Sequence, residues 1–117
     1  MFFAHTALTS ADFAEVISIG QQTFYSCTSL VSANFPLATS IESNAFAMNE
    51  DLETANFPLV TTIGTAAFAY CSSLENIEIP LVTSIDTQAF RFCYNLETVS
   101  LGTVFTPPQQ LLSLPVL

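Results

Sequence analysis

Residues 52–74 read LETANFPLVTTIGTAAFAYCSSL, and residues 74–96 repeat the pattern as LENIEIPLVTSIDTQAFRFCYNL. Isoleucine, phenylalanine and leucine each recur with a step of 22 residues through most of the chain. The recurring residues are Ile19, Ile41, Ile63 and Ile85, then Phe24, Phe46, Phe68 and Phe90, and finally Leu30, Leu52, Leu74 and Leu96. A fixed period of about 20 to 50 residues is typical of solenoids, in which each repeat forms one structural unit.

The first half of each repeat predicts a short strand. In residues 52–58, the apolar Ala55 and Phe57 are two positions apart, and polar residues lie between and before them. Alternation with a period of two places one face of a strand in the core. Pro58 follows and ends the strand, because proline has no N–H to donate to the ladder.

The second half of each repeat predicts a helical turn. Ile63, Ala67, Phe68 and Cys71 have spacings that place them on one face of a short helix, and Thr65 is positioned to cap its N-terminus. One repeat therefore predicts a strand, a turn, a helical turn or loop, and a return segment.

These units predict an α/β repeat fold, a solenoid of about five 22-residue coils. One coil cannot bury its own apolar face, whereas stacked coils share a continuous core, with adjacent strands parallel and about 4.8 Å apart. The solenoid is expected to cover residues 1–106, with its first unit incomplete. Pro107 and Pro108 interrupt the pattern, so residues 107–117 are expected to form a non-repeat tail or cap.

Composition excludes several classes of function. The chain has 117 residues, of which 50% are hydrophobic and 9% charged, and ten acidic residues against a single Arg91 give a formal charge of -9. A strongly acidic chain repels nucleic acid, and so much apolar sequence argues against disorder. The mean hydropathy is +0.52, but no apolar run approaches the roughly 18 residues of a membrane span. Residues 1–8 lack the basic start of a signal peptide.

The residues offer little for catalysis or metal binding. Cys27, Cys71 and Cys93 occupy one repeat position, which Asn49 takes in the remaining coil, and they are expected to be small buried hydrophobes. The alternatives are a disulfide between Cys71 and Cys93, or a nucleophilic pair of Cys27 with His5. With one histidine, no lysine and no glycine-rich phosphate motif, we expect no cofactor, no metal and no enzyme.

The sequence resembles the BspA-like leucine-rich repeats. The resemblance rests on Ala-Phe-x-x-Cys-x-x-Leu at 67–74 and 89–96, and on Ile-Pro-Leu-Val-Thr-Ser-Ile at 79–85. It covers about residues 8–106, with Asn49 in place of the cysteine and Gly102 in place of the proline. The resemblance implies a right-handed, curved solenoid on a cell-surface or secreted protein that mediates adhesion and protein binding without catalysis. Its strands would line the concave face and its helical turns or loops the convex face.

Three surface features are candidate sites. The outward strand positions form a polar face suited to binding, because solenoids bind partners on the concave sheet. These positions are Ser32, Asn34, Thr54, Asn56, Asn76, Glu78, Thr98 and Ser100. Glu53, Glu75 and Glu97 form an acidic ladder, either a solubilising stripe or a site for a basic partner or divalent cation. Leu37, Leu59 and Leu81 are either buried by a tight turn or form an apolar rim.

The functional hypothesis is a noncatalytic binding or adhesion module that recognises a protein, such as a host or matrix protein, or a glycan. We expect neither nucleic-acid binding nor membrane insertion. The alternative hypothesis is a structural array segment or spacer with homotypic end-to-end contacts, because neither end of the repeat carries a dedicated cap over its strand edges. The resemblance places the protein outside the cell or at its surface.

Overall fold

A computed structural model describes residues 2–101, which form two parallel sheets joined by turns. The five-stranded sheet consists of β1 (Ser10–Asp12), β3 (Ser32–Asn34), β5 (Thr54–Asn56), β7 (Asn76–Ile79) and β9 (Thr98–Leu101), in that order. The four-stranded sheet consists of β2 (Ser18–Ile19), β4 (Ser40–Ile41), β6 (Thr62–Ile63) and β8 (Ser84–Ile85). Each of the four complete coils therefore contributes one strand to each sheet, and these residues form a solenoid.

The register of both sheets confirms the 22-residue period. In the five-stranded sheet Ala33 pairs with Ala55, and Ala55 with Ile77. In the four-stranded sheet Ile41 pairs with Ile63. Counted from β1 to β9, the described residues make about four coils rather than the expected five. Every strand lies beside its equivalent from the adjacent coil, which is the geometry that repeated columns require.

The predicted helical turn is wrong, because the structure contains no helix in residues 2–101. Ile63 lies in β6, and the segment after it is a series of turns in which Ala66 and Tyr70 have φ angles of 56° and 63°. A right-handed helix requires negative φ at consecutive residues, so two left-handed residues four apart exclude it. The equivalent residues of the other coils are also left-handed: Gln22, Ser26, Asn44, Met48, Gln88 and Phe92.

Hydrogen bonds between coils explain this choice of turns. The N–H of Phe68 donates to the carbonyl of Ala89 in the next coil at 2.8 Å, whereas the N–H of Ala69 donates within its own coil to Ala66 at 3.2 Å. The same alternation recurs along the turn segments of the other coils. In a helix every N–H would donate to a carbonyl of the same helix, and the hydrogen bonds between adjacent coils would be lost. Thr65 accordingly caps no helix, and its Oγ1 donates to Asp86 Oδ2 at 3.1 Å.

Two columns of phenylalanine rings fill the core. In the first column, the Phe46 ring lies 5.1 Å from Phe24 and 5.2 Å from Phe68, nearly parallel to both. In the second, Phe35 stacks on Phe57 at 5.6 Å, and Phe57 meets Phe68 edge-to-face at 5.9 Å. These centroid distances lie in the favourable range for aromatic pairs. The stacked rings pack adjacent coils against each other in register beneath the five-stranded sheet.

The predicted tail or cap at residues 107–117 lies outside the described residues, as does the C-terminal end of the predicted solenoid at residues 102–106. Within residues 2–101, no helix is long and apolar enough to cross a membrane.

Candidate functional site

The outer surface of the five-stranded sheet carries the predicted polar face. Along β5 the burial pattern alternates: Thr54 is exposed, Ala55 is buried and Asn56 is half-buried. The other strands of the sheet follow the same alternation, so the predicted residues share one face. A groove of about 500 Å³ crosses this face over β3, β5 and β7. Thr98 and Ser100 lie on the same face in β9, outside the groove.

Side-chain amides on this face form a ladder across three coils. Asn56 Nδ2 donates to Asn34 Oδ1 at 2.9 Å, and Asn34 Nδ2 donates to Asp12 Oδ1 at 3.2 Å. The ladder therefore has a direction, with every donor pointing toward the N-terminal coil. Asp12 ends it as a pure acceptor, because an ionised carboxylate has no proton to donate.

Glu78 interrupts the amide ladder on the C-terminal side of Asn56. It pairs with Asn56 in the register of the sheet and is exposed. Its carboxylate offers no N–H to Asn56 Oδ1, so two acceptors stand next to each other on adjacent strands. Among residues 2–101, no side chain donates a hydrogen bond to either group.

The predicted acidic ladder lies at the entry to the strands. The N–H of Glu75 donates to the carbonyl of Glu53 at 3.0 Å, and that of Glu97 to the carbonyl of Glu75 at 2.9 Å, so the three residues stack on consecutive coils. All three side chains are exposed. Residues 2–101 contain no cluster of three or more acidic, histidine or cysteine side chains able to hold a metal ion. The ladder's binding role stays a prediction.

The predicted leucine rim is exposed to solvent. Leu37, Leu59 and Leu81 have exposed fractions of 43%, 38% and 50%. Each follows the proline that comes after a strand of the five-stranded sheet. The alternative in which the turn buries these side chains is wrong, whereas a partner that covers the rim stays a prediction.

The cysteines at this repeat position pack in the core, and their thiols are not activated as nucleophiles. Cys27, Cys71 and Cys93 are buried free thiols, which confirms the expectation of small buried hydrophobes and is contrary to the disulfide alternative. Cys71 Sγ donates to the carbonyl of Phe46 at 3.1 Å, and the two other thiols make the equivalent bond. Burial raises the pKa of Cys93 to about 12 and the pKa of Cys71 well above its ordinary value. A nucleophile needs the opposite shift.

The nucleophilic pair of Cys27 and His5 is also not formed. Burial raises the pKa of the Cys27 thiol as well, and its Sγ donates to the carbonyl of Phe2 at 2.9 Å rather than to the imidazole. His5 is exposed. The geometry therefore gives this thiol no base to activate it.

Asn49 is the exception in this column. It is fully buried, and within the described residues neither Nδ2 nor Oδ1 has a hydrogen-bond partner. The adjacent column members satisfy their single thiol with one backbone carbonyl, whereas an amide presents two donors and an acceptor. Asn49 is thus an energetic defect in an otherwise apolar column.

Two features of the surface were missed from the sequence. Asp12, the end of the amide ladder, lies 22 residues before Asn34, so the repeat register itself could have identified it. A surface aromatic cluster was not anticipated either, although two of its members, Tyr70 and Phe92, occupy one repeat position on adjacent coils. The Phe92 ring lies 4.8 Å from Tyr70 and 5.7 Å from Tyr94, and the Arg91 guanidinium lies 4.7 Å above Phe92.

A second groove, of about 260 Å³, crosses the four-stranded sheet and the turns after it. Glu42 and Asp86 flank Gly64 there at equivalent positions of three consecutive coils. A Cβ on Gly64 would approach the backbone nitrogen of Ser43 to 2.7 Å, so the coils pack too closely for a side chain. This groove is smaller than the one on the five-stranded sheet, and its central glycine serves packing.

Comparison with known families agrees with this architecture. The model of the BspA type leucine rich repeat region matches residues 1–109, in six copies. The chain belongs to the BspA-type leucine-rich repeat family. A search of curated proteins gave no match.

Solved structures of other leucine-rich repeat proteins share the fold. A leucine-rich repeat protein from Bacteroides ovatus superposes with a TM-score of 0.77 at 24% identity, over 91% of this chain and 28% of that one. A leucine rich cell surface protein from Faecalibacterium prausnitzii gives 0.62 at 24% identity, over 89% and 34%. The leucine rich repeat protein of T. pallidum gives 0.50 at 26%, over 72% and 51%. These likenesses support a right-handed solenoid, and the chain spans about a third or less of the first two proteins.

Proposed function

We propose that this BspA-type repeat is a noncatalytic protein-binding module that uses the outer face of its five-stranded sheet, on a protein displayed at the cell surface or secreted. The observation that carries the proposal is the groove of about 500 Å³ over β3, β5 and β7, most of whose lining residues are polar. Two of its side chains, Asn34 and Asn56, are already oriented by the hydrogen bonds of the amide ladder before a partner arrives, which lowers the entropic cost of binding.

The chemistry of the face suits binding better than catalysis. Hydroxyl and amide side chains dominate it, with acids at Asp12 and Glu78. The thiols are buried away from the face, and burial raises their pKa values. The structurally similar protein from F. prausnitzii is a cell surface protein. This similarity supports an extracellular setting for this chain.

A pair of matched variants tests the face. Asn56→Arg places a long cation in the middle of the groove, and Thr62→Arg adds the same side chain on the exposed face of the four-stranded sheet. We expect the parent to bind one or more members of a panel of purified secreted and matrix proteins by biolayer interferometry. The affinity of Asn56→Arg for that protein should be at least tenfold lower, because a disrupted residue at the centre of an interface costs much of the binding energy. The affinity of Thr62→Arg should equal that of the parent. Equal binding by both variants would refute the proposed face, and binding to a glycan array alone would replace the protein partner with a glycan.

The second candidate function is a structural array segment. The observation that favours it is the edge formed by β1 and β2, each of which has a strand neighbour on one side only within residues 2–101. Open parallel edges pair readily with another chain, and lysine on an edge strand blocks such pairing. Sedimentation velocity at high concentration should show self-association that Ser10→Lys abolishes and Thr54→Lys, in the middle of the sheet, leaves intact. A strict monomer would rule this candidate out.

A further inference from the structure

We propose that the space between Asn56 and Glu78 binds the guanidinium group of an arginine in the partner protein. This inference rests on the proposed function and specifies the partner's chemistry. It starts from the direction of the amide ladder, whose donors all point toward Asp12. Asn56 uses its Nδ2 in that ladder, its Oδ1 accepts no hydrogen bond within residues 2–101, and its partner on the adjacent strand is Glu78.

The space requires a donor with more than one N–H. Asn56 Oδ1 and the Glu78 carboxylate are both acceptors, on strands separated by about 4.8 Å. A hydroxyl has one proton and can serve only one of them. A guanidinium is a planar fork with five N–H donors, so its two terminal nitrogens can donate to acceptors on adjacent strands at the same time. A lysine ammonium is a compact point charge and lacks this geometry.

The charge balance of the chain favours a cation supplied from outside. The formal charge is -9, and there is no lysine. Arg91 is the single arginine, and it lies over the Phe92 ring, in a turn rather than on the sheet. Within residues 2–101, Glu78 has no hydrogen bond from a cationic side chain of its own chain. A partner arginine would therefore meet a field of the opposite sign.

The groove supports an extended segment around that arginine. Thr54 and Asn76 lie on the adjacent outward positions of β5 and β7 and line the same groove. Their hydroxyl and amide groups can donate and accept, which matches the backbone of an extended peptide. The aliphatic part of the arginine would cross the groove while its head reaches the acceptors.

The test uses short alanine peptides that carry one central arginine, lysine or citrulline, added to the ¹⁵N-labelled full chain at physiological salt. Citrulline keeps the shape of the arginine side chain and removes its charge. We expect the arginine peptide to shift the Asn56 side-chain amide signals and the backbone amides of β5 and β7. The citrulline and lysine peptides should bind about tenfold or more weakly, because hydrogen bonds to charged groups carry most of the affinity.

Two variants separate the proposed contact from general charge attraction. Glu78→Gln should weaken arginine-peptide binding about tenfold or more, because it removes the charged acceptor. Glu50→Gln removes one negative charge from an exposed turn outside both the sheet face and the acidic ladder, and its effect should stay below about twofold. Both residues are exposed, so both variants are expected to keep the parental circular dichroism spectrum.

Three results would overturn the inference: equal losses in Glu78→Gln and Glu50→Gln, equal binding of the arginine and citrulline peptides, or no shift at Asn56 with millimolar arginine peptide. The proposed function fails separately. If Asn56→Arg abolishes capture of a panel protein while the arginine peptide produces no shift, the face binds proteins and the guanidinium assignment alone is refuted.

Discussion

Replacing Asn49 with cysteine should stabilise the protein. Asn49 is fully buried, and within the described residues its amide nitrogen and oxygen have no hydrogen-bond partner. The cysteines of the adjacent coils occupy the same position and donate to a backbone carbonyl, as Cys71 does to Phe46 at 3.1 Å. Asn49→Cys therefore restores the arrangement that the rest of the column already adopts.

The magnitude follows from the groups that are removed. An unsatisfied buried polar group costs about 1–3 kcal/mol, so the two amide atoms together cost about 2–6 kcal/mol, and we take about 3 kcal/mol, in the lower half of that summed range. Cysteine has fewer heavy atoms than asparagine, and the lost packing destabilises the variant by about 1 kcal/mol, which reduces the gain. The net gain in unfolding free energy is about 2 kcal/mol, which corresponds to a Tm higher by about 8 °C for a domain of this size.

Urea denaturation under reducing conditions, followed by circular dichroism, measures this difference. Asn95→Cys is the matched control, because Asn95 is exposed and its replacement should change stability by less than about 0.5 kcal/mol. Cys71→Asn makes the converse test and should create a second defect, with a loss of about 2 kcal/mol or more. A midpoint of Asn49→Cys equal to or below that of the parent, at an unchanged m value, would refute the argument that the amide is unsatisfied.

The remaining predictions concern the core, the amide ladder and the buried thiols. Phe68→Ala removes a fully buried ring between two others and should lower the free energy of unfolding, measured by urea denaturation, by about 3–5 kcal/mol. Phe92→Ala in the surface cluster should lower it much less, and equal losses would contradict the assigned core. Glu78→Asn supplies the donor that the amide ladder lacks and should add about 0.5–1.5 kcal/mol, with a new side-chain amide contact visible by NMR. Because the pKa of Cys93 is about 12 when folded and about 8.5 when unfolded, the unfolded state binds fewer protons between these values. Stability should therefore fall as pH rises through this range, and Cys93→Ala should show a shallower fall; identical slopes would contradict the raised pKa.

The polar face was predictable to the level of individual residues, but its hydrogen bonding was not. The alternation around Ala55 places Thr54 and Asn56 outward whatever the details of packing, because successive side chains of a strand point to opposite faces. The direction of the ladder depends on which way each amide rotates, and that is decided by Asp12, which can only accept. The open acceptor pair at Glu78 follows from that direction.

The sequence by itself determined the repeat, the strands of the five-stranded sheet and the columns of the core. A period of 22 residues shared by isoleucine, phenylalanine and leucine leaves few other ways to bury those side chains. Such information is local, because it depends on the pattern within one coil and its recurrence in the next.

The tertiary structure alone decided the second half of each coil. Ile63, Ala67 and Phe68 have spacings that fit a helix, yet they lie in a strand and in turns with left-handed residues. Adjacent coils determine this outcome, since the N–H of Phe68 can reach the carbonyl of Ala89 only when the coils stack. The partner of each such bond is supplied by another coil, and a pattern read within one repeat contains no information about it.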